Sequence, residues 1–506
     1  MMKERGMRQT VITSFFPSCV PLRLNADVLV HIMRFISSKG ELFRMMKTCR
    51  SLYLAGLPMM LKNVHLWLDD RTCGLARFCR FMEFDLENRC PLVRNLSISL
   101  AFAYEMLECH QTNTMDRFST VLEHCRNLHS LSLPDGELWL YYGPTSIPRA
   151  LRALTSMRDL ELTLVDDYDA TLQLLSNLDL PNLQAISVQH DKDYLHNTDN
   201  RIIGNPFEIL HNQRSTLEVI RFGPCLPESS SHIYPMAKTI VFSCLAIENI
   251  NTSALMHSLP NLQRLSLGYL PPHQEDLDRL GRHGEEVLAR VHLRNIVHQR
   301  DLHLWRQLDA VRGDVLALYA LALTCPVRHV QIEESITPGL IPFWTKTLDA
   351  CRPSAVTMQI DMERFGIKQL PSIISQTAAK GITHLLVDFE CQDAAITMDD
   401  IMEDIYTLLH SMPLVFLDIH LHYWPDAEQT NPVRVYIHQL NLHTVATEIA
   451  KRVPTLQYLT LRRRMEANAF KDDEVSWEIH RNERGTYLAK QFIPYSADDF
   501  GMTDVY

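Results

Sequence analysis

The chain has 506 residues, of which 46% are hydrophobic and 22% are charged, and its formal net charge is -11. This length exceeds what one hydrophobic core needs, so we expect several domains or one repetitive array, and the composition excludes a wholly disordered chain. The acidic balance argues against broad nucleic-acid binding, because the phosphate backbone favours clustered lysine and arginine side chains.

Residues 1–20 form a basic and polar arm with no pattern that could build a core, and we expect it to be flexible. The arm has no apolar run of the length that a signal peptide requires. No stretch of the chain reaches the roughly 20 apolar residues of a membrane span. These features predict a soluble intracellular protein, cytoplasmic or nuclear.

Residues 21–62 contain the pattern of three short helices. Asn25 is the predicted N-cap of the first helix, and the spacing of Ser38 and Glu41 predicts a capping box that begins the second. A third short helix is expected around Leu57 and Leu61, with Pro58 near its start. Three helices in about 40 residues have a thin core, so a partner or the next domain must cover their apolar surface.

From residue 63 to 465 the sequence predicts an α/β solenoid of leucine-rich-repeat type, with parallel strands and helices on the convex side. The strands are indicated by an h-x-x-h-x-h pattern, where h is apolar, and helical segments separate them. The pattern occurs at Val93/Leu96/Ile98, Leu128/Leu131/Leu133, Leu183/Ile186/Val188, Leu217/Ile220/Phe222, Leu262/Leu265/Leu267, Val327/Val330/Ile332, Ile382/Leu385/Val387, Leu414/Leu417/Ile419 and Leu456/Leu459/Leu461, with weaker copies at Leu160/Leu162, Ile240 and Val356/Ile360.

Two segments depart from the repeat. Residues 271–324 show no clear strand pattern and are predicted to be a helical insertion. Residues 466–506 are predicted to form a hairpin, with strands around 477–480 and 487–492 and a turn at Gly485, followed by a frayed tail. Such a hairpin would seal the exposed edge of the last repeat.

Residues 24–32 (LNADVLVHI) and 48–53 (TCRSLY) resemble the F-box, although Asn25 replaces the family's proline and Leu52-Tyr53 stand where the family often has tryptophan. Together with the repeats, the chain looks like the F-box proteins with leucine-rich repeats of fungi. The resemblance implies a complex with a Skp1-like adaptor and a cullin scaffold, in which the repeats select a ubiquitylation target. It also implies that six residues line the adaptor contact or the small core beneath it: Leu24, Val28, Leu29, Ile32, Leu42 and Met46.

A second motif lies in the arm. Residues 9–16 (QTVITSFF) match Q-x-x-h-x-x-F-F and resemble the PIP-box that docks on the sliding clamp PCNA. One tight helical turn would bring Ile12, Phe15 and Phe16 together as an apolar plug, with Gln9 in a separate polar pocket. A chance match, or packing of the two phenylalanines on the helical segment, remains an alternative.

Motifs for catalysis or cofactor binding are absent from the sequence: it has no phosphate-binding glycine loop, no H-E-x-x-H and no nucleophile elbow. We therefore expect no enzyme activity and no cofactor. The 12 cysteines form no C-x-x-C pair and are expected to be buried free thiols. His420 and His422 alternate on one strand and share its outward face, but no further metal ligand is near in sequence, so no metal is expected.

These features favour a substrate-recognition adaptor of an SCF-type (Skp1–cullin–F-box) E3 ubiquitin ligase. The alternative is a non-catalytic repeat scaffold that recruits no ligase and docks on other partners, with PCNA among them.

Overall fold

The structure is a computed structural model, and its description covers most of the chain between residues 25 and 491. The described residues are 25–68, 74–100, 112–134, 136, 139, 145–164, 172–173, 175–190, 204–223, 225–243, 245–268, 275–302, 305–362, 370–391, 398–422, 432–464, 473–482 and 485–491. All structural statements below refer to these residues.

Sixteen α-helices lie in the described residues, separated by strands and by short 3-10 turns. The helices are α1 Ala26–Met33, α2 Lys39–Met46, α3 Arg50–Lys62, α4 Gly74–Glu83, α5 Leu86–Arg89, α6 Thr112–His124, α7 Ser146–Ala153, α8 Pro206–Ile209, α9 Thr252–Ser258, α10 Glu275–Leu302, α11 Val315–Leu321, α12 Ile341–Cys351, α13 Gln376–Ala379, α14 Met398–His410, α15 Pro432–Gln439 and α16 Leu442–Arg452. The 3-10 turns are Cys90–Leu92, His211–Gln213, Ile247–Asn249, Pro338–Leu340 and Leu370–Ser372.

Sixteen strands in the described residues form one sheet. They are β1 Asn63–Leu68, β2 Asn95–Leu100, β3 Ser130–Leu133, β4 Asp159–Leu164, β5 Ala185–His190, β6 Val219–Phe222, β7 Thr239–Phe242, β8 Arg264–Leu267, β9 Leu308–Gly313, β10 Val327–Ile336, β11 Ala355–Asp361, β12 His384–Glu390, β13 Phe416–His422, β14 Tyr458–Arg464, β15 Asp473–Asn482 and β16 Gly485–Gln491. Their order across the sheet is their order along the chain.

The sheet has the topology of a solenoid. β1 to β14 pair in parallel with their sequence neighbours, and β15 and β16 add an antiparallel hairpin at the end. Helices that follow one another along the chain also contact one another, for example α6 with α7 and α10 with α11. Each unit is therefore one strand and its return connection, stacked on the previous unit. The predicted α/β class with parallel strands is confirmed, and all twelve strands indicated by the apolar pattern are present.

Several strands bury alternate residues in a continuous core. In β3, Leu131 and Leu133 are buried whereas Ser130 and Ser132 are partly exposed, and the same alternation recurs in β12. The buried residues form one apolar cluster that extends from Leu61 to Ile479. The residues between them lie on the other side, which we call the open face of the sheet.

Neighbouring repeats are also joined by backbone hydrogen bonds at the residue that precedes each strand. The carbonyl of His129 accepts hydrogen bonds from the N–H groups of Arg158 and Asp159, at 2.7 and 2.9 Å. The carbonyl of Arg158 in turn accepts from Gln184 and Ala185, both at 2.8 Å. Because one carbonyl serves two donors of the next unit, the turn into each strand is held in register with the turn before it.

Three details of the sequence prediction are corrected. First, β1 follows α3 without a loop, and the apolar pattern had not indicated this strand. Second, the segment 271–324 is not wholly helical, because β9 lies within it and pairs with β8 and β10. Third, α3 begins at Arg50, so Pro58 lies in the helix interior and not near its start. Pro58 has no N–H to donate to the preceding turn, and a continuous helix there depends on tertiary packing.

The long helix α10 docks through buried amides. Asn295 donates from Nδ2 to the carbonyls of Ile250 and Ala320, at 2.9 and 2.8 Å. Gln299 donates to the carbonyls of Leu321 and Ala322, at 3.0 and 2.7 Å. These acceptors include the last carbonyls of α11, which have no partner within their own helix. α10 therefore caps its neighbour as well as covering the core.

The described cysteines are free thiols, and all of them except Cys49 are buried. Burial raises the pKa of Cys325 to about 11, which keeps this thiol protonated and unreactive. None of the described helices combines the length and the apolar character that crossing a membrane requires.

Candidate functional site

The three N-terminal helices α1, α2 and α3, which we call the helical module, have a small core of their own. Met33, Leu42, Met46 and Leu52 are its buried residues. Asn25 and Ser38 are the N-caps of α1 and α2, as the sequence predicts, and their side chains accept hydrogen bonds from the N–H groups of Asp27 and Glu41. A core of four buried side chains contributes little stability alone.

Gly56 sets how closely the three helices approach. It is buried in α3, and a Cβ atom at this position would meet the side chains of Met46 and Met33 well inside van der Waals contact. The absence of a side chain thus lets α3 pack directly against α1 and α2. The module is a compact unit, and further partly buried apolar side chains, such as Leu29 and Ile36, pack against its core.

An apolar stripe on α1 is exposed. Val28 and Ile32 are four residues apart and lie on one face of α1, and Phe35 follows in the turn after the helix, where its N–H donates to the carbonyl of Ile32. Their exposed fractions are 44%, 41% and 76%. Phe43 on α2 and Leu54 on α3 are also exposed. These five side chains leave an exposed apolar patch on a small unit.

The six residues that the F-box resemblance implies for the adaptor contact differ in their exposure to solvent. Val28 and Ile32 are exposed, Leu29 is half-buried, and Leu42 and Met46 are buried in the core of the module. Leu24 lies outside the described residues, as do all four residues of the PIP-box-like motif: Gln9, Ile12, Phe15 and Phe16. The exposed pair can contact a partner directly, whereas the buried pair supports the helices that carry it.

The helical module is continuous with the solenoid. α3 ends at Lys62 and β1 begins at Asn63, and Leu61 already belongs to the core of the repeats. Lys39 of α2 donates a hydrogen bond to the carbonyl of Asn63. A cavity of about 250 Å³ lies at this junction, lined mainly by apolar side chains that include Phe43, Leu57 and Phe78.

A second cluster of interest lies on the open face of β12, β13 and β14. Asp388 of β12 is directly opposite His420 of β13, which in turn is opposite Arg462 of β14. Asp418 and His422 are two residues on either side of His420 and so share its face. The strands are parallel, so five polar or charged side chains from three repeats meet in one place.

His420 lies between two carboxylates. Its Nδ1 is in close contact with Oδ1 of Asp388, and its Nε2 is 3.0 Å from Oδ1 of Asp418. Burial would lower the pKa of His420, but the two carboxylates outweigh burial and raise it to about 9. Burial would likewise raise the pKa of Asp388, but His420 and His422 outweigh it and hold that pKa well below its usual range.

Asp418 is the most buried member of the cluster. Only 2% of the residue is exposed, and its Oδ2 accepts a hydrogen bond from Nη2 of Arg462 at 3.3 Å. His422 lies on the solvent side, with Nε2 at 3.6 Å from Oδ1 of Asp388. Among the described residues, one group has ligand atoms placed closely enough to hold a metal ion: Asp388, His420 and His422.

Sequence reasoning found two of these three residues. His420 and His422 were recognised from their alternation, but Asp388 comes from the preceding repeat and only strand register brings it near. The signal that could have found it is the aligned pattern of the two repeats: Leu385-x-Val387 and Leu417-x-Ile419 set the register, and Asp388 and His420 follow at the same place.

No family model matches the chain, and no curated protein matches it either. The interpretation of function therefore depends on the exposed stripe of the helical module and on the open face of the sheet.

Proposed function

We propose that the chain is the substrate-recognition adaptor of an SCF-type E3 ubiquitin ligase. In this proposal the helical module binds a Skp1-like adaptor, which links it to a cullin scaffold, and the solenoid binds the protein to be ubiquitylated. The chain itself breaks no bond. It acts by proximity, because holding the target beside the charged conjugating enzyme raises the effective concentration of the target lysine.

The exposed stripe of α1 is the observation that carries the proposal. Val28 and Ile32 on α1, with Phe35 in the turn that follows it, leave an apolar surface in water, in the segment whose sequence resembles the F-box. Helix faces of this kind are covered when they pack against helices of a partner. The buried residues Leu42 and Met46 fix the geometry of the module without reaching the partner.

The solenoid suits the second role because of its size and continuity. Fourteen parallel strands are followed by the hairpin, so the open face is a long surface built from many repeats. Repeat surfaces of this type bind extended partners through many side chains. On β12 to β14 the carboxylates, imidazoles and guanidinium described above form a charged region of that surface.

The direct test is binding of the purified full chain to a purified Skp1-like protein, measured by calorimetry. Val28→Asp and Ile32→Asp place a charge in the proposed interface, and we expect each to weaken binding at least about tenfold, since burying an unpaired carboxylate costs more than about 1.4 kcal/mol. Both side chains are exposed in the free chain, so the variants should still fold.

Val297→Asp is the matched control. Val297 is an exposed valine of α10, 56% accessible, and lies far along the chain from the helical module. This variant should bind the Skp1-like protein as the wild type does. If the wild type shows no binding, or if the two α1 variants bind as tightly as the control, the adaptor role is excluded and the repeat scaffold without ligase recruitment is left.

A further inference from the structure

The residues Asp388, His420 and His422 have the donor atoms of a transition-metal site. Two imidazole nitrogens and one carboxylate oxygen are a ligand set typical of zinc sites that keep one position open. The three donor atoms all lie within 4.8 Å of one another. The 3.6 Å between Nε2 of His422 and Oδ1 of Asp388 is close to the roughly 3.3 Å that separates two ligands of a tetrahedral zinc ion, whereas Nδ1 of His420 and Oδ1 of Asp388 are in direct contact and must move apart to admit an ion.

The surroundings of His420 match the second layer of a metal site. Metal-bound imidazoles usually donate their other ring N–H to a carboxylate, which fixes the ring and its tautomer. Here Nδ1 of His420 faces Asp388, and Nε2 lies 3.0 Å from Oδ1 of Asp418, an ion-pair contact that is not aligned as a hydrogen bond. Asp418 is itself buried and held by Arg462 at 3.3 Å, so the ring is supported from behind by two further residues.

Several buried atoms of the cluster have no aligned hydrogen-bond partner, among them Oδ1 of Asp388, Oδ1 of Asp418 and Nε2 of His420. Oδ1 of Asp388 is shielded from solvent and contacts both imidazoles, but neither contact has hydrogen-bond geometry. Buried carboxylate oxygens are normally satisfied by a donor or by a cation. An ion between the two rings would satisfy this oxygen and both nitrogens together.

We propose that Asp388, His420 and His422 bind one divalent transition-metal ion, with zinc as the expected ion, on the open face of the solenoid. Asp388 binds through Oδ1, His420 through Nδ1 and His422 through Nε2. Asp418 is a positioning residue that orients His420. The ligand side chains are 15–29% exposed, so the fourth position is accessible to water or to a side chain of a bound partner. This proposal does not depend on the ligase role.

The test is zinc binding by the full chain, freed of metal with a chelator and then dialysed against Zn²⁺. Metal content is measured by mass spectrometry. We expect the wild type to hold about one ion per chain more than His422→Asn, which removes one of three ligands. His422→Cys should restore binding, because a thiolate is also a zinc ligand, and with Co²⁺ it should add a sulfur-to-metal charge-transfer band.

Two further variants separate a metal site from a simple ion-pair network. Asp418→Asn should weaken zinc binding by about 10- to 100-fold with unchanged stoichiometry, as losses of such outer carboxylates do. His65→Asn removes an exposed strand histidine at the other end of the sheet and should leave zinc binding unchanged. Circular dichroism checks that each variant folds. Equal zinc content in the wild type and in folded His422→Asn, or no visible Co²⁺ bands in either the wild type or His422→Cys, overturns the proposal.

Discussion

His329 is a buried histidine whose protonation is coupled to folding. Only 5% of the residue is exposed, and its Nε2 is 2.9 Å from the hydroxyl of Thr357. Burial, assisted by the nearby Arg328 and His384, lowers the pKa of His329 from 6.5 to about 4. The folded state therefore keeps this ring neutral at a pH where the unfolded chain has already bound a proton.

The sign of the pH effect follows from this difference. Between pH 6.5 and about 4 the unfolded state binds one more proton at His329, so the free energy of unfolding falls as the pH falls. The full effect is about 3 kcal/mol, because one pKa unit corresponds to about 1.4 kcal/mol. Above pH 6.5 the ring is mainly neutral in both states, so His329 no longer lowers the free energy of unfolding.

Replacing His329 with glutamine tests this origin. The variant has no titrating ring, so its urea unfolding midpoint should fall less between pH 7 and pH 4 than that of the wild type, even if it is less stable at pH 7. All other titrating groups are common to both proteins and cancel in the comparison. Parallel loss of stability in the two proteins would show that His329 is not the source.

At the level of single residues, the sequence predicted the helix caps and missed contacts between repeats. Asn25 and Ser38 were predictable because a cap depends on residues two or three positions away. The division between the exposed Val28 and the buried Met46 was not predictable, since both lie on apolar helix faces and only packing separates them. Asp388 was missed for the same reason: its partners come from another repeat.

Among the elements, α10 contributes stability through its buried amides as well as through apolar contact. We expect Asn295→Leu to lower the free energy of unfolding by about 2–3 kcal/mol, although leucine has a similar size. The substitution removes the partner of the Ala320 carbonyl at 2.8 Å and of the Thr252 N–H at 3.4 Å, both in a buried region. Urea unfolding followed by circular dichroism measures the change.

Val297→Ala on the same helix is the control for Asn295→Leu. Val297 is exposed, so we expect its truncation to change the free energy of unfolding by less than about 0.5 kcal/mol. A small effect of Asn295→Leu, comparable with that of the control, would mean that water replaces the lost amide and that α10 is held by its apolar face.

The elements that the sequence failed to predict have a common physical cause. β1 follows a helix with no turn residues between them, so no Gly or Pro marks its start. β9 lies between two strongly helical segments, α10 and α11, whose periodicity dominated the interpretation of 271–324. The twelve strands that the apolar pattern predicted each have a buried apolar triplet or pair, which is visible in one sequence because it is local.

At the scale of the whole molecule, a solenoid has two ends that must be closed. Because the strands follow chain order, β1 is the edge strand at one end of the sheet and β14 is the last parallel strand at the other. Unpaired edge strands at either end could pair with another molecule, so both need a cover. The helical module is fused to the first end through α3 and through the hydrogen bond from Lys39 to Asn63. The hairpin β15–β16 closes the second end, where Trp477 and Ile479 are buried members of the core.

Arg481 fastens this hairpin to the last helix. Its Nη2 donates to the carbonyls of Ala450 and Val453, at 3.1 and 2.9 Å, and thus satisfies acceptors at the end of α16. Leu459 of β14 is paired with Trp477 of β15. Removal of the hairpin would therefore expose a strand edge and part of the apolar core in the same place.

We expect a chain that ends at residue 472 to self-associate, because unpaired N–H and C=O groups along β14 can pair with a second molecule. Light scattering after size-exclusion chromatography, over a series of concentrations, measures the effect. A chain that ends at residue 491 keeps both hairpin strands and is the matched control, which should behave as the full chain does. If the shorter chain stays monomeric and as stable as the control, the edge of β14 needs no cover, and the hairpin does not protect it.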